Sequence, residues 1–572
     1  MRLAIVHKEK CNHVKCNSLC ARLCPVNRKD QDCIKINEKA SISEELCIGC
    51  GICQNRCPFD AIRIINLPDI LSRKVIYRYG KNGFSLYSLP SPRFDAVLGL
   101  LGKNGIGKTT AIELLSAKLQ PNFATETAAD EKEIKSFFQG TELFNYFEKL
   151  PKLKISVKPQ QLAELAVPVK VSELLAKFSS QEEIEKLTRK FDISSLLDRQ
   201  LDQLSGGELQ KVAIVTAALK QADVYFFDEP LAYLDVSERI KASDFISSLL
   251  SKEKSVVVIE HDLLLFDYMT DYVNIFYGQP SCYGIVADIR TAKRAINTYL
   301  QGFLQEENVR FRDKAIIFDF SARKIEKTVP LVEWPAFSKS YDGFTLNASE
   351  GSISIRSITG ITGRNAIGKT TFVKCLAGLL ETEPKLKLKL KISYKPQYLE
   401  SESTATVVET VKKEKIDKRL ISLLGLENLM FRQLNQLSGG ELQRVAIASC
   451  LAREADLYLL DEPSAYLDVE ERLQAARAIK EIISEKDHAA FVVDHDLLFL
   501  SYLADSIIVF SGTPGKNATT SSTMDFVSGI NELLKQLDIT VRRDVESGRP
   551  KINKKGSVLD REQREKGQYF AI

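Results

Sequence analysis

The sequence has no apolar run long enough to cross a membrane. A membrane-spanning helix needs about 18 or more consecutive apolar residues, and no stretch of the 572-residue chain reaches that length. The first residues, from Met1 to His7, also lack the longer apolar core of a signal peptide. We therefore expect a cytoplasmic protein without a membrane domain.

A strong net charge is missing as well. The 79 lysines and arginines are nearly balanced by 75 aspartates and glutamates, which gives a net charge of +4. Charge alone therefore predicts no nucleic-acid partner. The hydrophobic content of 44% is ordinary for a globular protein, and the length allows three or four domains.

Cysteine is scarce after residue 57. Nine of the twelve cysteines lie between Cys11 and Cys57, and the other three lie in apolar surroundings, where buried thiols are expected. The early cysteines form two arrays, Cys11-x4-Cys16-x3-Cys20-x3-Cys24-Pro25 and Cys47-x2-Cys50-x2-Cys53-x3-Cys57-Pro58. The second array is the bacterial ferredoxin run, whose fourth cysteine ligates the other cluster.

This spacing predicts two [4Fe–4S] clusters with crossed ligands. We expect one cluster on Cys47, Cys50, Cys53 and Cys24, and the other on Cys11, Cys16, Cys20 and Cys57. The alternatives are zinc, which usually takes two separated cysteine pairs, and a disulfide framework, which does not suit a cytosolic chain. Cys33 is left over and is predicted to be a buried structural thiol.

A second group of motifs occurs twice in the rest of the chain. Two phosphate-binding loops are present, Gly102-Lys103-Asn104-Gly105-Ile106-Gly107-Lys108-Thr109 and Gly363-Arg364-Asn365-Ala366-Ile367-Gly368-Lys369-Thr370, each extended by a further threonine, Thr110 or Thr371. Glycines let backbone N–H groups approach a phosphate, the lysine neutralises its oxygens, and the first threonine can hold Mg²⁺. Each loop is followed downstream by a helix-start signature, Ser205-Gly206-Gly207-Glu208 or Ser438-Gly439-Gly440-Glu441.

The residues needed for hydrolysis also occur in pairs. Asp228 and Asp461 end apolar strands and are predicted to face Mg²⁺, together with the loop threonines. The next residues, Glu229 and Glu462, are placed to act as general bases on water. Two further pairs complete the predicted site: Gln160 and Gln397, expected to bridge Mg²⁺ and the water, and His261 and His495, expected to reach the γ-phosphate.

This full set of motifs resembles that of ATP-binding-cassette proteins. In that family the signature of one lobe caps the ATP held by the other lobe. The resemblance implies one site with Lys108, Glu229 and Ser438, a second site with Lys369, Glu462 and Ser205, and coupling of the two through Asp235 and Asp468. It also implies a monomer in which ATP binding closes the two lobes and hydrolysis reopens them.

The spacing of the repeats indicates how the chain is divided. The signature serines are 233 residues apart but the loop lysines are 261 apart, so the first unit holds extra residues. Apolar residues at helical spacing predict a helix–turn–helix insertion at about 122–150, interpreted as a docking element or as mere packing. The predicted fold is α/β, with two cassette domains in tandem behind a ferredoxin-like α+β iron–sulfur domain. The expected bounds are 1–68 for the head, 69–300 for cassette 1, 301–335 for the linker, 336–525 for cassette 2, and 526–572 for a charged C-terminal hinge segment or solvated tail.

Over its whole length the sequence resembles the RNase L inhibitor family, subfamily E of the cassette ATPases. The resemblance includes both cysteine arrays and the stretches Pro58-Phe59-Asp60-Ala61-Ile62, Asn308-Val309-Arg310-Phe311-Arg312 and Arg549-Pro550-Lys551-Ile552-Asn553-Lys554. Tyr79 and Phe84 match the adenine-contacting aromatics of the family, and Phe344 is assigned the same role in the second lobe. Some positions depart from the family pattern, among them Ala366, Lys211, Leu231 and Asp494. None of these departures removes a catalytic group, so they bear on the relative rates at the two sites and not on the activity itself.

The resemblance implies ATP-driven splitting of ribosomes after termination, after which the protein stays on the small subunit. The implied partners are ribosomal RNA and proteins of the small subunit, a termination or rescue release factor, and initiation factors, with no membrane permease. An ATP-gated electron-transfer protein, an energiser of a separate permease and a chromatin or repair ATPase are the alternatives. They differ in whether the clusters cycle under ATP, whether the protein fractionates with membranes, and whether long coiled coils separate the motifs.

Overall fold

A computed structural model of the chain describes residues 2–66, 75–162, 165–312, 315–316, 329–386, 388, 390–397, 403–485 and 487–571. The expected boundary at 68–69 lies outside the described residues, as does the 317–328 part of the expected linker. Within the described part, no helix has both the length and the apolar character that a membrane crossing requires.

The cysteine-rich head is a small α+β unit. Its elements are β1 (Arg2–Val6), α1 (Leu19–Leu23), β2 (Ile34–Ile36), β3 (Ala40–Ile42), α2 (Ile52–Asn55) and β4 (Ile62–Asn66). Strand β1 pairs antiparallel with β4, and β2 pairs with β3. Alternate residues of β1 face opposite sides: Ala4 and Val6 pack among the cysteines, whereas Leu3 and Ile5 pack into the core of the first lobe.

Polar contacts also join the head to the first lobe. The buried side chain of Asn82 donates to the carbonyls of Ala4 and Ile42, both at 2.9 Å, and accepts from the Ile42 amide. A buried amide with its bonds satisfied specifies one arrangement of the groups around it. The head is therefore held to the first lobe in one orientation by both apolar and polar contacts.

The first lobe is built on a nine-stranded sheet. Its strands are β5 (Tyr77–Arg78), β6 (Ser85–Leu86), β7 (Val97–Leu101), β8 (Ile155–Lys158), β9 (Val224–Asp228), β10 (Ser255–Ile259), β11 (Tyr272–Gln279), β12 (Tyr283–Val286) and β13 (Arg290–Thr291). Its helices are α3 (Lys108–Leu115), α4 (Glu131–Phe138), α5 (Glu142–Lys149), α6 (Val171–Ala176), α7 (Gln181–Lys190), α8 (Gly206–Leu219), α9 (Val236–Ser247), α10 (Leu263–Met269) and α11 (Ala292–Gln301). The order β5-β6-β12-β11-β7-β10-β9-β8 brings β7, β9 and β10 side by side and parallel, so their carboxyl ends meet at one edge.

The second lobe repeats this arrangement after a short hairpin of β14 (Phe303–Leu304) and β15 (Val309–Arg310). Its strands are β16 (Pro330–Trp334), β17 (Phe337–Tyr341), β18 (Phe344–Ala348), β19 (Gly351–Ser354), β20 (Ser357–Thr362), β21 (Ile392–Lys395), β22 (Leu457–Asp461), β23 (Ala489–Val493), β24 (Ser506–Thr513), β25 (Asn517–Thr520) and β26 (Met524–Asp525). Its helices are α12 (Lys369–Leu376), α13 (Val407–Lys413), α14 (Lys418–Leu423), α15 (Gly439–Ala452), α16 (Val469–Glu485) and α17 (Leu497–Leu503). The sheet order β17-β18-β25-β24-β20-β23-β22-β21 matches that of the first lobe strand for strand.

The extra residues of the first lobe form two helices, α4 and α5. The ring of Phe138 on α4 stacks on that of Phe147 on α5, with centroids 4.6 Å apart. Tyr146 anchors the pair, because its hydroxyl donates to the Leu115 carbonyl at the end of α3. In the described part of the second lobe, no helix occurs between α12 and β21.

The C-terminal segment is folded and packs across the lobes. Its elements are α18 (Phe526–Gln536), β27 (Val541–Arg543), β28 (Pro550–Ile552) and α19 (Val558–Glu565). Val541 and Ile552, which interrupt the charges of this segment, are buried in a core that also holds first-lobe residues such as Phe245. Residues 526–571 therefore do not form a solvated tail.

Candidate functional site: two composite nucleotide sites and two cysteine cavities

Each phosphate loop joins a central strand to the start of a helix. In the first lobe, Gly107 precedes α3 with a φ of 98°, and a Cβ at that position would lie 2.7 Å from the ring of Phe84. Only glycine fits such a position without strain. The Lys108 ammonium is buried and donates to the carbonyls of Gly102 and Lys103 at 2.7 and 2.8 Å. The second loop has the same contacts through Lys369.

The threonine after each lysine contacts the aspartate that ends the neighbouring buried strand. Thr109 donates to Asp228 at 2.9 Å, and Thr370 donates to Asp461 at 2.7 Å. The other oxygen of Asp461 is buried without a hydrogen-bond partner among the described residues. Burial, aided by the Glu229 charge, raises the pKa of Asp228 to about 6. A hydroxyl and a carboxylate side by side are oxygen ligands of the kind that Mg²⁺ prefers, so these residues fit that ion.

The predicted general bases lie directly after these aspartates. Glu229 and Glu462 adopt φ values of 46° and 47°, a strained conformation that is common at functional sites. Gln160 donates its amide to Glu229 at 2.8 Å, and Gln397 donates to Glu462 at 2.7 Å. The structure thus places the amide of each glutamine on the carboxylate of the predicted general base.

The two bases differ in their electrostatic surroundings. Burial acts to raise the pKa of both carboxyl groups. At Glu229 the neighbouring His261 imidazole, 3.4 Å away, and the charge of Lys108 outweigh burial and lower the pKa to about 2. At Glu462 burial and the Asp461 charge dominate, and the pKa is raised. His495 lies 3.7 Å from Glu462, and burial lowers the pKa of its imidazole well below the usual value.

Aromatic residues border each phosphate loop. The hydroxyl of Tyr79 lies 3.2 Å from that of Thr110, and the Tyr79 ring is half exposed. In the second lobe, Phe344 lies against Gly368 as Phe84 lies against Gly107. Tyr341 stacks near Phe344, with centroids 6.5 Å apart, and is also half exposed. The sequence analysis did not select Tyr341; its position at the β17–β18 turn, three residues before Phe344, is the signal that identifies it.

Two further buried pairs were also missed. Lys158 and Lys395 donate to the carbonyls of Asp228 and Asp461, at 2.9 and 2.7 Å. Gln210 and Gln443 donate to the carbonyls of Glu229 and Glu462, both at 2.7 Å. Each pair occupies equivalent positions in the two repeats, which was the available signal. These side chains bind the backbone at the strand ends that carry the predicted Mg²⁺ ligands and general bases.

Each signature serine begins a long helix. Ser205 caps α8 and Ser438 caps α15, and each forms a capping box with the glutamate three residues later, Glu208 or Glu441. The signature glycines leave room for a tyrosine, because Gly206 packs on Tyr233 and Gly439 on Tyr466. A helix start of this kind offers N–H groups and a dipole that favour anions.

The two lobes meet through reciprocal contacts at the phosphate loops. Asp468 of the second lobe accepts from the Asn104 amide of the first loop at 3.0 Å. Asp235 of the first lobe accepts from the Asn365 amide of the second loop at 2.9 Å. The rings of Tyr233 and Tyr466 lie between them, with centroids 6.3 Å apart. Each phosphate loop therefore contacts the segment that follows the signature of the opposite lobe.

The eight predicted iron ligands surround two separate cavities. One cavity is lined by Cys24, Cys47, Cys50 and Cys53, and also by Cys33. The other is lined by Cys11, Cys16, Cys20 and Cys57. The structure thus brings each fourth cysteine of an array to the other array, and all twelve cysteines are free of disulfides.

The cysteine chemistry fits an iron–sulfur cluster at each cavity. Burial raises the pKa of Cys20 to about 11 and that of Cys53 to about 12, so a thiolate there needs the positive charge of iron. In the described part of the chain, no three His, Cys, Asp or Glu side chains are grouped to hold a single metal ion. A [4Fe–4S] cluster instead takes four cysteine sulfurs arranged around a space of its own.

Family models match both parts of the chain. A model described as "ABC transporter" matches residues 93–232 and 346–465, and one described as "4Fe-4S binding domain" matches 40–63. A third, described as "Possible Fer4-like domain in RNase L inhibitor, RLI", matches residues 1–32. These matches confirm the predicted fold class, two cassette domains behind an iron–sulfur head. The chain is an ATPase with ATP-binding domains and a 4Fe–4S-binding head.

Relatives and solved structures match over nearly the full length. An uncharacterized ABC transporter ATP-binding protein of Methanocaldococcus jannaschii is 45% identical over 100% of this chain and 98% of the relative. The translation initiation factor RLI1 of Chaetomium thermophilum is 41% identical over 100% and 97%.

Two solved structures are similarly close. A model of ribosome-bound archaeal Pelota and ABCE1 is 44% identical with a TM-score of 0.93, and covers 100% of this chain and 99% of that chain. The complex of archaeal ribosomal stalk protein aP1 with archaeal ribosome recycling factor aABCE1 is 43% identical with a TM-score of 0.83, over 87% and 99%. The chain therefore belongs to the RNase L inhibitor family, subfamily E of the ATP-binding-cassette proteins.

Proposed function

We propose that this protein is a cytoplasmic, ATP-driven ribosome recycling factor. It splits post-termination or stalled ribosomes into subunits and stays on the small subunit. The observation that carries the proposal is the reciprocal pair of contacts between Asp468 and Asn104 and between Asp235 and Asn365, which supports two nucleotide sites in one seam between the lobes. Support comes from relatives that are named a ribosome recycling factor, a ribosome-bound protein and a translation initiation factor.

Each ATP is held by both lobes in this proposal. The loop 102–110 and the signature at Ser438 form site one, and the loop 363–371 and the signature at Ser205 form site two. Tyr79, Phe84 and Phe344 contact adenine. Closure brings each signature onto the phosphates of the opposite lobe, because N–H groups at a helix start attract anions.

Hydrolysis uses the carboxylate that follows each strand. Glu229 and Glu462 accept the proton of the attacking water, Gln160 and Gln397 orient these carboxylates, and the two histidines lie beside them. The oxygens of Thr109, Asp228 and Gln160, and of Thr370, Asp461 and Gln397, would hold Mg²⁺. Bound there, Mg²⁺ neutralises charge on the phosphate oxygens.

The head transmits the motion of the first lobe. We propose that the head holds two [4Fe–4S] clusters, one at each cavity on its four cysteine ligands, and that the clusters keep the head rigid. Because β1 and Asn82 tie the head to the first lobe, reorientation of that lobe moves the head with it. The head then contacts a termination or rescue release factor and ribosomal RNA, and the proteins of the small subunit and initiation factors are further partners.

Sedimentation of the purified protein with ribosomes in sucrose gradients tests this function. A non-hydrolysable ATP analogue should trap the wild-type protein on the small subunit. The variant with Glu229→Gln and Glu462→Gln should be trapped with ATP itself, whereas Glu253→Gln, a change at an exposed site, should behave as wild type. A protein with intact clusters that hydrolyses ATP but does not sediment with ribosomal particles would refute the proposal and favour electron transfer.

A further inference from the structure

Glu470 joins three parts of the chain that are far apart in sequence. It is the second residue of α16, lies two residues after Asp468, and is 8% exposed. Its carboxylate contacts the Lys103 ammonium of the first phosphate loop at 2.7 Å. It also accepts from the Arg312 guanidinium at 2.8 Å. A carboxylate with little exposure and two cationic partners is held in one place, since charge-assisted hydrogen bonds are the strong ones.

Arg312 belongs to the connection between the lobes. Its guanidinium donates to the Tyr299 carbonyl at 2.8 Å, close to the end of α11, and lies over the Tyr299 ring at 5.0 Å. Arg312 packs closely against the end of α11, because a Cβ at Gly302 would lie 2.6 Å from the Cβ of Arg312. Arg312 therefore fixes the first part of the connection to Glu470 and to the first lobe at once.

Lys103 lies inside the first phosphate loop. Its carbonyl accepts from the Lys108 ammonium at 2.8 Å, and the amide of the next residue, Asn104, donates to Asp468. Glu470 and Asp468 thus hold consecutive residues of the loop from the opposite lobe. A shift of this loop would be passed through Glu470 to Arg312.

The other nucleotide site has no equivalent carboxylate. The position two residues after Asp235, which corresponds to Glu470, is Ser237, and the residue that corresponds to Lys103 is Arg364. Serine carries no charge, so the corresponding cation of the second loop does not meet a carboxylate at this position. The contact of Glu470 with Lys103 and Arg312 is therefore a feature of site one that is not repeated at site two.

We propose that Glu470 is a positioning residue that ties the phosphate loop of site one to the connection between the lobes. Nucleotide at site one, and not at site two, then orders residues 303–312. This inference rests on the two-site arrangement proposed above. It assigns the two sites different roles, because only nucleotide binding at site one changes the order of the connection between the lobes.

Binding of a non-hydrolysable ATP analogue to full-length protein tests the assignment. Lys369→Met leaves site one for binding, and Lys108→Met leaves site two. Adding Glu470→Gln should raise the Kd of site one about tenfold, the size expected for loss of a charged partner. The Kd of site two should change less than about twofold, the range expected for a site that does not use this pair. Hydrogen exchange of residues 303–312 should slow when site one fills, and Glu470→Gln should abolish that protection.

Three further variants separate positioning from folding. Glu470→Asp, which keeps the charge, should restore part of the affinity. Glu485→Gln, on the same helix but paired with Arg419 at the surface, should leave both sites unchanged. Ser237→Glu should lower the Kd of site two by adding the missing carboxylate near Arg364.

Three results with Glu470→Gln would overturn the inference. They are an equal loss of affinity at both sites, no loss of affinity at site one, and unchanged protection of residues 303–312. If each single-site variant does not bind one nucleotide, the two-site proposal itself fails. If each does bind one and Glu470→Gln has no effect on site one, only the role of Glu470 is refuted.

Discussion

The C-terminal segment is fastened to the first lobe by a buried ion pair that can be removed with one substitution. Arg549 and Asp267 are each 1% exposed at the side chain, and Arg549 Nη1 lies 2.9 Å from Asp267 Oδ2. Replacing Arg549 with methionine keeps much of the volume but leaves Asp267 buried with Lys551 as its remaining cation, at 3.1 Å. Removing one partner of a buried pair costs about 3–5 kcal/mol.

We expect the lower end of that range, because Lys551 remains beside Asp267. A loss of about 3 kcal/mol corresponds to an opening equilibrium on the order of 100-fold larger. The whole chain has several domains and does not unfold in one step. The suitable assay is therefore hydrogen exchange of local amides, such as Val541, which donates to the Tyr569 carbonyl at 2.8 Å.

A control at the surface of the same segment makes this prediction specific. Lys555 lies 3.9 Å from Asp538, with both side chains well exposed, so Lys555→Met should change exchange by less than about fivefold. Exchange at Val541 that is the same in Arg549→Met and Lys555→Met would refute the reasoning. It would mean that the segment is held by its apolar residues alone.

Two other outcomes are expected. Burial and the nearby Asp496 charge raise the pKa of Asp262 to about 6 at the lobe seam, against the opposing charges of Arg239 and Arg472. In the proposed closure, the closed seam binds a proton on the Asp262 carboxylate more tightly than the open state does. The equilibrium should therefore shift toward the closed state as the pH falls from 7 through 6, and this shift should be complete below the ordinary pKa of about 4. Small-angle scattering at several pH values should show the wild-type protein becoming more compact as the pH falls. The change should be smaller in Asp262→Asn, and equal changes in the two proteins would contradict the prediction. Separately, Cys57→Ser should lower bound iron from about eight to about four atoms per chain, while Cys33→Ser should keep about eight, as measured by iron assay. Equal iron in both variants would refute the assignment of Cys57 as a ligand.

Local motifs explain why much of the site was predictable. The phosphate loops, the strand-end aspartates and the capped signature helices each depend on a few neighbouring residues, such as Gly107 before α3 or Ser205 before α8. The backbone geometry of a short segment is set by its own residues, so the pattern transfers directly to structure. Because the set of motifs occurs twice, the sequence also predicted two cassette lobes, and the structure shows that their sheets have the same strand order.

Other contacts were beyond the reach of these patterns. The hydrogen bond from the Gln160 amide to Glu229 was not among the predicted contacts, and the predicted role of the glutamines between Mg²⁺ and the water stays a prediction. Tyr341 was missed because it lies three residues before Phe344, whereas Tyr79 lies five residues before Phe84. Side-chain choices of this kind depend on which neighbour is within reach after the sheet has formed.

By itself, the sequence determined the two cassettes, the two cysteine arrays and the family, because each of these is written in residues close together in the chain. The family resemblance implied that the two lobes share their sites and that Asp235 and Asp468 couple them, but only the tertiary structure decided which groups of the opposite lobe these residues contact. Asn104 and Asp468 are 364 positions apart in the sequence, and Glu470 pairs with both Lys103 and Arg312. Such contacts arise from how two complete lobes pack, and the packing of complementary surfaces leaves no short-range pattern in the chain.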